Sequence, residues 1–252
     1  MHKLTTISIL TTYVLFFTLI PNVLANEVSV ATIKDLIPIV TEIKDTYNKK
    51  HPEIYINILN FKQKGLKERL SEKHHNIDIV ILDNSSILEE WAEEELLIKG
   101  TLKKLGSDSL CVVIKKSSII RPFMLYPETT VTKAIIAGNP YETALGEYTR
   151  EALKNLNLLT KLNKKIIYYN TNDEIARQAG SSLNDGGIMY CSFAKRSFVH
   201  VTDILNTRLH SPIIYASAIA RYKDKNWYVR DFNNFLKSST AKEIMKKYHF
   251  KL

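Results

Sequence analysis

KAIIAGNPYETALGEYTREALKNLNLL, residues Lys133 to Leu159, is the stretch that decides how this chain folds. Ala134 to Ala137 is short and apolar enough for a buried strand. Gly138-Asn139-Pro140 punctuates it, and Tyr148, Ala152, Leu153, Leu156 and Leu159 then recur at helical spacing. Strand, loop and helix in that order make a βα unit. In an open α/β sheet such a loop lies at the carboxyl edge of the strands, where ligands collect. The free N–H groups of a first helical turn and the positive end of the helix dipole favour an anion there, and Gly146 would let backbone approach a ligand closely. An ordinary βα unit without a ligand fits the same pattern.

Working outward, the same alternation continues on both sides. Glu27 to Ala31 reads as a strand ending at Thr32, and Ile33, Leu36, Ile37, Val40, Ile43 and Tyr47 share a helical face. Pro38 is tolerated in that helix only within its first turn, which predicts Asp35 as the N-cap. Thr32 then falls in the loop, its hydroxyl either turned to a ligand or serving as an alternative cap. Ile54 to Phe61 and Ile77 to Leu82 are continuous apolar runs, as in parallel strands covered on both faces. A basic turn, Lys62-Gln63-Lys64-Gly65, and a short helix around Leu66 and Leu70 separate them. Asp83-Asn84-Ser85-Ser86 has turn and capping chemistry ahead of an acidic helix, Ile87 to Leu97.

Ser109 to Ile114 is a further strand and the expected crossing into a second lobe. Beyond the central βα unit come a strand at Lys165 to Tyr169, a helix at Asp173 to Leu183, and a strand at Ile188 to Cys191 after Asp185-Gly186-Gly187. One more strand is expected at Ser197 to Val201. Pro212 to Tyr222 is the return crossing, and two amphipathic helices close the chain, the second capped by Thr240. The expected class is α/β, with two lobes that each carry a mainly parallel sheet flanked by helices and two crossing strands as the hinge. Residues 26–108 and 211–252 make the first lobe and residues 109–210 the second.

The first 25 of the 252 residues read as a secretory signal: Lys3, an apolar run from Ile7 to Ile20, and Val23-Leu24-Ala25 before the cleavage point. The expected product is an exported, soluble protein. The formal charge of +9 favours anionic ligands or acidic partners, although the lysines are scattered among acids, as on a solvated surface, and nucleic acid is not indicated. Cys111 and Cys191 are the two cysteines. In an oxidising compartment they can pair or remain as buried thiols. Cys191 with His200 and Asp203 offers the residue types of a Cys-His hydrolase, without a nucleophile signature around the cysteine. His74-His75 is a solvated loop rather than a metal site, since adjacent histidines diverge and no further ligand stands at the right spacing.

VSVATIKDLIPIV, IDIVIL, SLCVVIKK, IIAGNPYETALGEYTREAL, GGIMYCSFA, SPIIYASAIA and STAKEIMKKYHF follow one another as a set. In order and approximate spacing that set resembles the periplasmic molybdate-binding proteins of ABC transporters, of the type II solute-binding class. The resemblance covers essentially the whole mature chain. It implies a hinged two-lobed monomer, without cofactor, that closes over molybdate, tungstate or a similar tetrahedral oxyanion and delivers it to a permease. Hydroxyls and backbone N–H groups hold the anion in that family. By position Thr32 stands for a serine hydroxyl, Leu145 and Ile175 for backbone donors, and Tyr190 for the binding tyrosine. Lys62-Gln63-Lys64-Gly65 replaces a serine-rich turn, which puts Lys64 at the site, and Asp83 stands near a position usually held by a small residue. The alternative is another small anion, an organic acid or a phosphonate-like ligand, paired by Lys62 or Lys64.

Overall fold

Parallel pairing sets the frame of both sheets. The computed structural model describes residues 26–118, 134–181 and 185–252; the signal segment, the stretch before Lys133 and the predicted helix end at Leu183 lie outside them. In the first sheet β1 (Asn26–Thr32) lies between β2 (Ile54–Asn60) and β3 (Ile79–Leu82), parallel to each. β4 (Lys103–Ser107) and β10 (Ile214–Ile219) complete the order β2-β1-β3-β10-β4, with β10 antiparallel to both neighbours. The second sheet is built from β5 (Leu110–Lys115), β6 (Ala134–Gly138), β7 (Ile166–Tyr169), β8 (Asp185–Tyr190) and β9 (Val199–Ile204), in the order β7-β6-β8-β5-β9. There β5 is the antiparallel member.

The two orders are equivalent, and in each sheet the strand that runs against the rest, β10 or β5, is the one the chain enters on arriving from the other sheet. An antiparallel strand needs no βα crossover, so the chain joins the second sheet directly and later returns to the first in the same way.

Helices cover the sheets as the apolar spacing predicts. Ile39, Val40, Ile43 and Tyr47 of α1 (Ile37–Asn48) pack with Phe232 of α8 (Trp227–Phe235) and Met245 of α9 (Ser239–Lys247) on one face of the first sheet. Leu66 and Leu70 of α2 (Gln63–Ser71) and Leu88 and Trp91 of α3 (Ser85–Glu93) cover its other face. One core unites the second sheet with α4 (Ala144–Asn155), α5 (Leu159–Leu162), α6 (Asn172–Ser181) and α7 (Cys191–Ala194). Cys111 and Cys191 form a disulfide, which ties β5 to α7 and leaves no thiol at position 191 for a Cys-His hydrolase.

Several local expectations change. Asp35 is not an N-cap. A single 3-10 turn, Lys34–Leu36, precedes α1, whose first turn holds Pro38 as expected. Thr32 is the last residue of β1, not a loop residue, because its register with Asn60 extends the ladder to that point. The cap of α9 is Ser238, which accepts the Ala241 N–H at 3.1 Å, and Thr240 sits inside the first turn. α2 starts at Gln63, so Lys64 is helical. β4 was not expected, since its Lys103-Lys104 start and Gly106 carry no strand pattern; it forms by pairing with β10.

Where β5 begins, a buried carboxylate ties the crossings together. Asp108 accepts hydrogen bonds from the Tyr215 hydroxyl at 2.9 Å, the Ser109 N–H at 2.8 Å and the Ser192 N–H at 3.2 Å, and also from the Ser192 hydroxyl. Its own N–H donates to the Ile213 carbonyl at 3.1 Å, so both connecting segments meet at this residue. Nearby, the terminal segment joins in, as the Ser107 N–H donates to the Lys251 carbonyl and Lys251 Nζ to the Ser109 hydroxyl.

Gly146 meets backbone rather than open space. A Cβ there would lie 2.3 Å from the Asn139 carbonyl carbon and 2.4 Å from the Pro140 nitrogen, so the glycine seats the start of α4 against its own loop. Gly146→Ala is expected to lower the unfolding free energy by about 1–3 kcal/mol, the usual cost of an added methyl in a packed site. Urea denaturation measures it, and a midpoint equal to wild type would show that the loop yields without cost.

Candidate functional site

The parallel strands of both sheets end at one cavity of about 230 Å³. From the first sheet it takes Ile33 to Asp35 after β1, Asn60 to Gln63 after β2, and Asp83 after β3. From the second it takes Glu142 to Leu145 at the start of α4, with Asn170, Thr171 and Glu174 at the start of α6. This is the carboxyl edge where a sheet of this kind offers loops and helix N-termini to a ligand.

Local chemistry builds each side. Between β6 and α4 the Asn139 carbonyl accepts the Thr143 N–H and hydroxyl, both at 2.9 Å. Thr143 in turn caps α4 through the Gly146 N–H at 3.1 Å. Ala144 and Leu145 line the cavity, and as residues of the first turn they carry N–H groups that precede the helix's own carbonyls. On the other strand-to-helix turn the Thr171 hydroxyl accepts the Glu174 N–H at 3.2 Å.

Two carboxylates of the first sheet reach across to donors of the second. Asp35 accepts the backbone N–H of Asn172 at 3.0 Å and its side-chain amide at 2.7 Å. Asn172 passes the link on, its carbonyl oxygen taking the Tyr190 N–H at 2.9 Å. The Tyr190 hydroxyl then returns to the first sheet and donates to Asp83 Oδ2 at 2.6 Å. Asp35, Asn172, Tyr190 and Asp83 thus form a circuit that crosses the cleft twice. Lys62 adds a third crossing, 2.8 Å from Glu142.

Electrostatics follow from burial and pairing. Burial pushes Asp35 up to about 7, against the lowering effect of the Asn172 hydrogen bonds. Asp83 is also raised by burial, opposed by the Tyr190 hydroxyl. That hydroxyl is raised well above its ordinary value by burial and by Asp83, and so acts as a donor. Lys62 beside Glu142 holds that carboxyl below its usual range.

The residues singled out from sequence fare differently. Asp83 and Leu145 line the cavity. Tyr190 is buried one hydrogen bond behind it, on Asp83. Thr32 is buried and donates its hydroxyl to the Ile81 carbonyl at 2.8 Å, closing the strand end instead of facing a ligand. Ile175 lies in the second core and its N–H bonds the Thr171 carbonyl at 3.1 Å. Lys64 lines a neighbouring surface cavity with Glu68, Trp91 and Tyr141, and Lys62 is the lysine at the main one. Asn172 went unread. Its only signal is the polar triplet Thr171-Asn172-Asp173 between a strand and a helix. His75 accepts the Ile77 N–H at 3.3 Å, and among the described residues no three His, Cys, Asp or Glu side chains gather to hold a metal ion.

Comparison with known proteins places this geometry. Residues 28–251 match the model of the family described as bacterial extracellular solute-binding protein. The chain is 23% identical over 214 residues to the molybdate-binding protein ModA of Haemophilus influenzae, covering 83% of this chain and 84% of that protein. It is 24% identical over 245 residues to ModA of Escherichia coli, covering 94% of each. Its fold matches the periplasmic molybdate-binding protein of Azotobacter vinelandii with a TM-score of 0.72 at 15% identity, over 89% of this chain and 99% of that one. No helix among the described residues is long and apolar enough to cross a membrane.

The raised carboxyl of Asp35 gives a pH signature. In the folded chain it holds its proton up to about pH 7, and in the unfolded chain it releases it near 3.8. Between those values the folded form binds more protons, so stability falls as pH rises through the window. Asp83 and Asp108, also raised by burial, act in the same direction. Asp35→Asn is expected to flatten the fall in unfolding free energy between about pH 4 and pH 7, read by urea denaturation across that range. An unchanged slope would remove Asp35 from the account.

Proposed function

The chain belongs to the bacterial extracellular solute-binding proteins, and from that premise we propose that it is the periplasmic receptor of an ABC importer, capturing a tetrahedral oxyanion of the molybdate and tungstate class between its lobes. One observation carries the reading: a cavity lies where the strands of both sheets end, bordered on one side by the first turn of α4 and the turn into α6. Helix N-termini supply N–H donors and positive dipole ends without a full countercharge. At about 30 Å³ per water, a space of 230 Å³ accommodates a small oxyanion with a few waters.

We assign the N–H of Leu145 and the ammonium of Lys62 to direct contact, with Tyr190 acting from behind through Asp83. The names of the two curated relatives support molybdate as the ligand. Residues 26–108 with 211–252 form one lobe and 109–210 the other, and opening turns on the segments that meet at Asp108. Residues 1–25 direct export, the working form is a monomer, and the permease receives the ligand from the closed cleft. The protein captures its ligand and does not transform it.

A thermal-shift panel of molybdate, tungstate, sulfate, phosphate and small carboxylates on the mature protein tests the proposal. A ligand that binds only the folded form stabilises it by about 2.7 kcal/mol at a hundred times its dissociation constant. At least one tetrahedral oxyanion is expected to raise Tm in a concentration-dependent way while the carboxylates do not. A panel in which no oxyanion shifts Tm overturns the assignment.

A further inference from the structure

We propose that the disulfide of Cys111 and Cys191 is a positioning element of the cleft. By stapling Tyr190 to Ser192 onto β5 it keeps the tyrosine's link to Asp83 in place for ligand capture, a role that rests on the oxyanion reading above. Three consecutive residues end β8 and begin α7, and each is tied to a different part of the molecule. Tyr190 donates its N–H to Asn172 at 2.9 Å and its hydroxyl to Asp83 at 2.6 Å. Ser192 donates its N–H to Asp108 at 3.2 Å and its hydroxyl to the same carboxylate. Between them Cys191 is bonded to Cys111, and its N–H donates to the Ser109 carbonyl at 2.9 Å. The bridge thus sits between a bond that crosses the cleft and the carboxylate where the two connecting segments meet.

Secondary structure alone holds this segment weakly. β8 stops at Tyr190, and α7 is one turn of four residues without a side-chain cap. A helix that short cannot fix its own first residues. The covalent bond does so instead. In the β5–β8 ladder Leu110 pairs with Tyr190 and Cys111 with Met189, and the bridge carries the tie one residue past the end of β8. Both cysteines are buried, so the bond is shielded from thiol exchange.

Tyr190 passes a shift of Cys191 onward. Its side chain is buried, with the rings of Phe193 and Tyr215 centred 6.4 and 6.2 Å away, and close packing leaves it no second arrangement. Displacing its backbone moves the hydroxyl, and with it the partner of Asp83, which lines the cavity. A contact held ready in this way lowers the ordering cost of binding.

Cys111→Ala combined with Cys191→Ala removes the bridge without leaving a lone thiol. Loss of any disulfide lowers Tm, so both measurements are made where urea curves show each protein fully folded. Without ligand, amide hydrogen exchange in the bridgeless chain is expected to quicken at Tyr190 and Ser192 by about tenfold beyond any change at Ile136 in the middle of β6. Calorimetric titration with molybdate is expected to show binding about tenfold weaker than wild type. Tyr190→Phe should then cost the bridgeless chain less than it costs wild type, because the hydroxyl it removes is already displaced. An unchanged affinity, losses that simply add, or exchange that rises equally at all three amides overturns the proposal and leaves the bridge a stabiliser only. Should the alanine pair fail to fold, Cys111→Val with Cys191→Ala refills the space of the sulfurs. In wild type itself Tyr190 and Ser192 are expected to exchange as slowly as Ile136, and faster exchange there overturns the proposal whichever variants fold. A wild type that does not bind molybdate counts against the ligand reading instead, and the exchange comparison then decides the role of the bridge.

Discussion

The circuit from Asp35 through Asn172 and Tyr190 to Asp83 is the constraint that joins the two sheets across the cleft. Two carboxylates of one sheet satisfy donors of the other, and the second set of donors is itself fixed by an internal bond between Asn172 and Tyr190. Neither link stands alone. Moving Asn172 to release Asp35 also disturbs the N–H of Tyr190, and with it the hydroxyl that Asp83 needs. Burial makes these bonds costly to break, since a polar group left without its partner in a dry site loses far more than one at the surface would.

The same circuit explains an oddity of the site. Where an anion-binding cleft would offer its donors to a ligand, this one has committed two of them to its own acids: Asp35 occupies the N–H of Asn172 at the start of α6, and Asp83 occupies the tyrosine.

Sequence pattern carried the architecture because apolar periodicity is a local signal. The runs Ile77 to Leu82 and Ala134 to Ala137, the glycine punctuation at Gly138 and the spacing of Tyr148, Ala152 and Leu153 are each readable within one element. Two α/β lobes follow from their order. The site was less legible, because the contacts that cross the cleft join residues 80 or more positions apart, as in the bonds of Lys62 to Glu142 and of Tyr190 to Asp83. Pro38 was placed correctly in its first turn, but Asp35, inferred as the cap beside it, has a partner 137 residues away. Thr32 failed for a related reason: a hydroxyl at a strand end has backbone carbonyls close by, and Ile81 claimed it before any ligand could. Gly146 was rightly seen as a point of close approach, but the approaching group is the chain's own loop.

The disulfide separates the two sheets in a further respect. Cys111 and Cys191 are 80 residues apart and enclose β6, α4, α5, β7, α6 and β8, so the bond closes a contiguous segment on itself and reduces the disorder available to it when unfolded. The first sheet has no such brace and draws β10 from beyond residue 210. That late strand is the one that joins β3 to β4. The cross-linked half is thus one continuous stretch of chain, whereas the first sheet is spliced from two, its seam held by β10 and by the final segment that clasps Ser107 through Lys251.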